Sequence, residues 1–235
     1  MRNLINRLKG LARNKINKYH KSYSQCGEDL IISHLLRVIG ITKPAYLDLG
    51  AHHPTYLSNT YYFYQNGSAG VCIEADPSLI KPFNDLRRRD LTVNCGVGTK
   101  NTSADFYLMS SSTLNTFSKE EAQRYSSYGK QKIEKVIKIE MKKVDSIIES
   151  YCPRCPDLIS LDVEGLDYLI LQNYNFEKFR PAVFCIETLS YTEDKTERKL
   201  TEIIKFMNKK GYLSYADTYI NTIFVEETVW QSRLK

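Results

Sequence analysis

Short apolar runs and amphipathic stretches alternate along the chain from residue 24 to residue 226. Ser24-Gln25-Cys26-Gly27-Glu28-Asp29 opens a helix predicted to run to about Val38, with Leu30, Ile31, Leu35 and Val38 on one side. Asp29 falls in its first turn, where the helix dipole favours an acid. Ala45–Leu49 reads as a buried strand, Thr55–Tyr64 as a helix after Pro54, and Gly70–Ile73 as a second strand ending in Glu74. Pro77–Arg89 is helical in pattern and Leu91–Cys95 is a third strand. After a break, Leu158–Leu161 ends in Asp162, Leu166–Leu171 starts a helix, and Val183–Ile186 ends in Glu187. Glu193–Lys210 reads as a long helix stopped by Gly211, and Tyr212–Ala216 with Thr222–Val225 as a closing pair of strands. Such an alternation specifies an α/β fold, a mostly parallel sheet with helices on both faces.

Residues 96–143 interrupt the rhythm. They are polar, rich in Ser and Lys, with extended stretches at Asp105–Met109 and Val136–Glu140, and they read as an insertion into a domain spanning 23–235. The insertion is either a lid over the site or a surface excursion. Residues 1–22 form a separate unit: Leu4, Ile5, Leu8, Leu11, Ala12 and Ile16 recur at helical spacing, with cations on the other face. Such a helix either docks weakly on an anionic membrane surface or packs against the domain or a partner subunit.

Composition narrows the picture. At 235 residues, 42% hydrophobic and 26% charged, the chain is globular rather than fibrous or disordered. The net charge of +6 is misleading, because residues 1–27 hold seven basic residues and no acid, leaving the remainder at −1. A neutral body disfavours a nucleic-acid partner, whose enzymes spread positive charge over the binding face. The amino terminus has no secretory apolar core and no run is long enough to span a membrane, so the expected location is cytoplasmic, peripheral to the inner face of the membrane if the tail docks there. Six cysteines in that setting read as reduced thiols. Cys152-Pro153-Arg154-Cys155 lacks a second ligand pair and reads as a loop with two thiols rather than a zinc site.

Candidate chemistry sits at the strand ends. Open α/β sheets bind ligands beyond the carboxyl ends of their strands. Asp48, Glu74, Asp162 and Glu187 all occupy such ends, with Glu164 just beyond, so several carboxylates would converge on one crevice. Burying them costs free energy unless a cation, a metal ion or sugar hydroxyls pair with them. Gly50 permits close backbone approach. Glu74, 26 residues after Asp48, stands where a carboxylate takes two ribose hydroxyls, which suits NAD and S-adenosylmethionine equally. The Tyr61-Tyr62-Phe63-Tyr64 run reads as core packing over sugar stacking, and Ser111-Ser112-Thr113 as a possible acceptor contact.

Five motifs stand in one order: Ser24-Gln25-Cys26-Gly27-Glu28-Asp29, Leu47-Asp48-Leu49-Gly50-Ala51-His52-His53-Pro54, Ser58-Asn59-Thr60, Ile73-Glu74-Ala75-Asp76-Pro77 and Leu161-Asp162-Val163-Glu164-Gly165. Together they resemble the FkbM family of S-adenosylmethionine-dependent methyltransferases over residues 22–226. The resemblance implies a class I, Rossmann-like methyltransferase fold, a seven-stranded sheet with its last strand antiparallel. It also implies O-methylation of a sugar hydroxyl in surface polysaccharide or glycan assembly, on a saccharide acceptor that the basic tail would suit if lipid-linked. By the same resemblance Asp48, Gly50 and Ala51 line the methionine part of the cofactor and Glu74 holds the ribose. Asp162 and Glu164 flank the methyl group and acceptor. His52, Ala75 and Cys95 complete the cofactor set, with Asn94, Cys95 and Gly96 toward the adenine. His52 departs from the Asn of many relatives. His53, Asp162 and Glu164 are the candidates for a general base. Two other readings stay open: an NAD-dependent oxidoreductase, and a non-catalytic nucleoside-binding scaffold.

Overall fold

Residues 20–127, 129–163, 165–189 and 197–234 are described in a computed structural model of the protein. The amphipathic helix expected over residues 3–18, and Glu164, lie outside the described residues.

Seven strands form one sheet: β1 (Tyr46–Leu49), β2 (Gly70–Glu74), β3 (Leu91–Asn94), β7 (Leu158–Leu161), β8 (Val183–Glu187), β9 (Tyr212–Asp217) and β10 (Asn221–Glu226). Their order is β3-β2-β1-β7-β8-β10-β9. β1 pairs in parallel with β2 (Leu47 opposite Val71) and with β7 (Leu47 opposite Ile159), so the strand order reverses at β1. β10 runs antiparallel to both β8 and β9. The fold is thus a Rossmann-like α/β sheet, with the seven strands and the antiparallel last strand that the resemblance implies. Helices α1 (Glu28–Val38), α2 (Tyr61–Gln65) and α3 (Pro77–Leu86) cover one face; α5 (Val144–Tyr151), α6 (Asp167–Asn173) and α7 (Thr201–Lys209) cover the other, and α8 (Glu227–Ser232) ends the chain.

Alternation along each strand divides the core in two. Leu47, Leu49, Val71, Ile73, Ile159 and Leu161 pack with Ile147, Ile170, Leu171 and Met207. Tyr46, Cys72, Leu158, Val183 and Cys185 pack on the opposite face with Ile32, Leu35, Phe63 and Phe83. Phe63 and Tyr64 are buried there, so the aromatic run belongs to the core.

The expected helix over Thr55–Tyr64 is confined to α2. His52 and Leu57 sit at φ 48° and 53°, and residues 51–60 are held as an irregular loop by long-range bonds. The fully buried Arg87 guanidinium donates to Pro54 O (3.5 Å), Ser58 Oγ (3.4 Å) and Thr60 Oγ1 (2.9 Å), and to Asp90 Oδ2 (2.7 Å). Asp90 in turn accepts from the Tyr46 hydroxyl and the Gly70 amide. Burying this charge is tolerable because every donor finds a partner. Of the helix expected over Glu193–Lys210, residues 193–196 lie outside the described residues and α7 covers Thr201–Lys209. Just before it Lys199 bridges Leu189, and Leu200 N donates to Thr188 O (2.8 Å).

The insertion builds its own sheet, β4 (Gly96–Val97), β5 (Thr102–Met109) and β6 (Ile133–Lys142), ordered β4-β6-β5, with a short 3-10 turn at Ser112–Leu114 and helix α4 (Lys119–Ser127). No described helix is long and apolar enough to cross a membrane.

Candidate active site

A cavity of about 540 Å³ opens beyond the carboxyl ends of β1, β2, β7 and β8, within the size range of small-ligand sites. Among the described residues four carboxylates line it: Glu74, Asp162, Glu187 and Glu197.

Glu74, the last residue of β2, is 7% exposed. Its Oε2 accepts from His52 N (2.7 Å) and its Oε1 from Asp76 N (2.7 Å). Each oxygen keeps further lone-pair capacity for the hydroxyls of a ribose. Asn94, which does not itself line the cavity, donates to Glu74 O (2.9 Å) and Ala75 O (3.0 Å) and fixes the turn that carries this carboxylate. Burial raises the Glu74 pKa to about 7, against the pull of its two amide donors.

Gly50 shapes the neighbouring wall. Its φ is +80°, and a Cβ there would lie 1.9 Å from Asp162 O. Gly50 N and Ala51 N both bond Ile73 O (3.1 and 3.0 Å), and Asp162 N bonds Leu49 O (3.1 Å), so the loop after β1 is wedged between the ends of β2 and β7. This cradle, with Glu74 beside it, is one that a nucleoside fits and a side chain would fill.

Asp162 lines the cavity and hydrogen-bonds the Glu187 carboxyl. Burial and the nearby Asp167 carboxyl push Asp162 well above the usual carboxylate range. Asp167 accepts from Val163 N (3.1 Å) and Gly165 N (3.2 Å), and burial raises it to about 6. Asp167, the first residue of α6, thereby ties back the backbone after β7, a role the sequence reading missed.

His52, Ala75, Cys95 and Gly96 also line the cavity. The His52 ring, its pKa held below the usual imidazole range by burial and by His53, has Nε2 3.5 Å from Ser112 Oγ. Burial lifts the Cys95 thiol to about 11, which leaves it unreactive. Ser112 and Thr113 lie on the insertion side of the same space, with Asn115 and Phe117.

Three expected site residues stand elsewhere. Asp48 is not among the lining residues: it sits one layer deeper than Glu74 and Asp162, opposite Cys72 and Ser160, where it accepts from Thr60 Oγ1 near Arg87. Burial raises its pKa and Arg87 pulls it back. Ala51 is buried in the core on the α1–α3 side of the sheet. His53 Nδ1 accepts from Thr55 N (3.2 Å) and Tyr56 N (3.0 Å), capping the turn at Pro54 outside the cavity, and is set aside as a base. Gln25, Leu57, Leu189, Glu197 and Ile220 join the lining without having been singled out for it. Among the described residues no three His, Cys, Asp or Glu side chains are placed to hold a metal ion, and Cys152 and Cys155 are free thiols.

The raised carboxyls carry a stability consequence. Glu74, Asp162, Asp167 and Asp48 bind protons in the folded state at a pH where the unfolded chain has released them. Unfolding free energy therefore falls as pH rises from about 4.5 through about 7, Glu74 alone contributing on the order of 3 kcal/mol. Glu28, Asp217 and Glu226 are shifted down and lose their contributions only below the ordinary carboxylate range. Thermal scans of the ligand-free protein are expected to show Tm falling between about pH 5 and pH 8. A Tm that climbs over that interval would show that these groups are not buried as described.

Residues 48–214 match the family model described as the methyltransferase FkbM domain. No curated protein matches the chain significantly. Similar solved structures include a precorrin-6y C5,15-methyltransferase from Geobacter metallireducens (10% identity, TM-score 0.43, covering 89% of this chain and 94% of that one). Another is a 1,6-didemethyltoxoflavin-N1-methyltransferase from Burkholderia thailandensis with bound S-adenosylhomocysteine (10%, TM-score 0.44, 85% and 76%). A third is a putative O-methyltransferase from Klebsiella pneumoniae (10%, TM-score 0.43, 92% and 85%). The chain belongs to the FkbM family of methyltransferases, whose methyl donor is S-adenosylmethionine.

Proposed function

We propose that the protein transfers a methyl group to a hydroxyl of a saccharide, in surface polysaccharide or glycan assembly. The observation that carries this reading is the half of the cavity away from Glu74. There Asp162, Glu187, Glu197 and Gln25 offer hydrogen-bond acceptors beside the apolar surfaces of Leu57, Leu189 and Ile220. Carboxylates and an amide suit the hydroxyls of a sugar ring, and the apolar side chains suit its C–H face. Their negative charge repels a phosphate-bearing acceptor and welcomes the cationic sulfonium.

When bound, S-adenosylmethionine supplies an activated methyl carbon with a neutral thioether as leaving group. Glu74 would hold the ribose, Gly50 would admit the chain beyond it, and Asp162 with Glu187 would face the reacting centre. A carboxylate pushed toward neutrality suits a general base, and Asp162 receives the hydroxyl proton in this reading. Glu164 remains a candidate from the sequence alone. The seven cations of residues 1–27 fit contact with an anionic lipid surface if the acceptor is lipid-linked.

Methyl-labelled S-adenosylmethionine offered with neutral, amino and phosphorylated saccharides tests the proposal. Label on a hydroxyl of a neutral saccharide is the expected result. Label on nitrogen or on RNA would overturn it, and cofactor binding without transfer to any acceptor would favour the scaffold.

A further inference from the structure

With a ribose held by Glu74 at the end of β2, the base of a nucleoside would come within reach of the next strand end, where Cys95, Gly96 and Val97 line the cavity. The wall facing them comes from the insertion. We propose that Phe117, carried by that insertion, is the surface on which the adenine of the cofactor stacks, and that residue 96 is glycine to seat this ring. The inference deepens the reading of the cavity as a S-adenosylmethionine site and rests on it.

Phe117 is half-buried and lines the cavity. Phe106, 4% exposed, backs it with ring centroids 4.6 Å apart at 40°. A Cβ on Gly96 would come within 2.4 Å of Phe117 Cζ and 2.4 Å of Met141 Sδ. The ring edge therefore rests on the bare backbone at Gly96, with part of the ring open to the cavity. Space, rather than backbone conformation, requires the glycine.

Phe117 is also held in register with the ribose site. Thr116 pairs with Tyr107 through two backbone bonds (2.9 and 3.2 Å), so the residues before Phe117 run along β5. Asn115 accepts from Met109 N (2.8 Å) and donates to Asp76 Oδ2 (3.0 Å). Asp76 caps α3 directly after Glu74 and Ala75, and its amide is one of the two that hold Glu74. The wall for the base and the carboxylate for the ribose are thus tied together across the mouth of the cavity. A flat aromatic face backed by a second ring is what a purine stacks on.

The test is F117W, read by fluorescence. The chain's one tryptophan, Trp230, packs against Tyr215 of β9, at the opposite edge of the sheet from β3. Titrating S-adenosylhomocysteine is expected to quench the F117W emission with the affinity found by calorimetry, and to leave wild-type emission unchanged. F117A is expected to weaken S-adenosylhomocysteine by about tenfold or more, with an unaltered far-UV spectrum. G96A, which displaces the ring, should weaken it in the same direction. If wild type binds S-adenosylhomocysteine but F117W shows no quenching and F117A binds normally, Phe117 serves only to pack the two sheets and the assignment is wrong. If wild type itself fails to bind, the cofactor reading falls and this one with it.

Discussion

Gly50→Ala is expected to lower Tm by about 6–12 °C and to abolish S-adenosylhomocysteine binding. Two penalties add at this position. A φ of +80° strains any residue with a Cβ, by about 1–2 kcal/mol. The new Cβ would also stand 1.9 Å from the carbonyl oxygen of Asp162, an atom of the backbone at the end of a central strand. That oxygen cannot rotate away as a side chain can, because Asp162 N is bonded to Leu49 O. Relief requires moving the β1 loop or the end of β7, and both form the cavity. The combined cost is about 3 kcal/mol or more. Differential scanning calorimetry with a binding titration on the same sample checks both halves, and a variant with wild-type Tm would refute the packing described at Gly50.

Glu74→Ala is expected to weaken S-adenosylmethionine and S-adenosylhomocysteine alike, by about a hundredfold. Two hydrogen bonds to a carboxylate are lost, each worth about 1.5–3 kcal/mol, offset in part by the burial cost of the charge. The ribose is common to both ligands, so their losses should match. Glu74→Gln is not a neutral control: with Oε1 and Oε2 both accepting backbone amides, the NH2 of glutamine must oppose either His52 N or Asp76 N. In wild type the binding of S-adenosylhomocysteine should tighten as pH rises through about 7, when Glu74 ionises. In Glu74→Ala this dependence should shrink to whatever Asp162, which titrates in the same range, contributes. Calorimetry at about pH 6 and pH 8 measures both effects, and unequal losses for the two ligands would argue against a ribose contact.

Much of this architecture was legible in the residues. The short apolar runs at β1, β2, β7 and β8 end where the alternation says, and Glu74 and Asp162 reach the cavity as expected. Asp48 does not, because it lies inside the sheet opposite Cys72 and Ser160, two residues short of the strand-end layer of Gly50, Glu74 and Asp162. The failures are where distant groups decide the local backbone. Residues 55–60 have a helical pattern, yet Arg87 and the positive φ at Leu57 hold them as a loop. The extended stretches read at Asp105–Met109 and Val136–Glu140 lie within β5 and β6, but their pairing into a separate sheet was not read from the residues, because in β6 only Ile139 and Met141 are buried. Phe117 meets Gly96 only through the pairing of β4 with β6, which no local pattern announces.

The central claim is that a nucleoside sits beyond β1 and β2 with its ribose on Glu74. A crystal structure with S-adenosylhomocysteine bound tests it most directly. The account predicts both ribose hydroxyls within hydrogen-bond distance of the Glu74 carboxylate and the sulfur near Asp162. A ligand bound anywhere that leaves the Glu74 carboxylate without a ribose hydroxyl would contradict it.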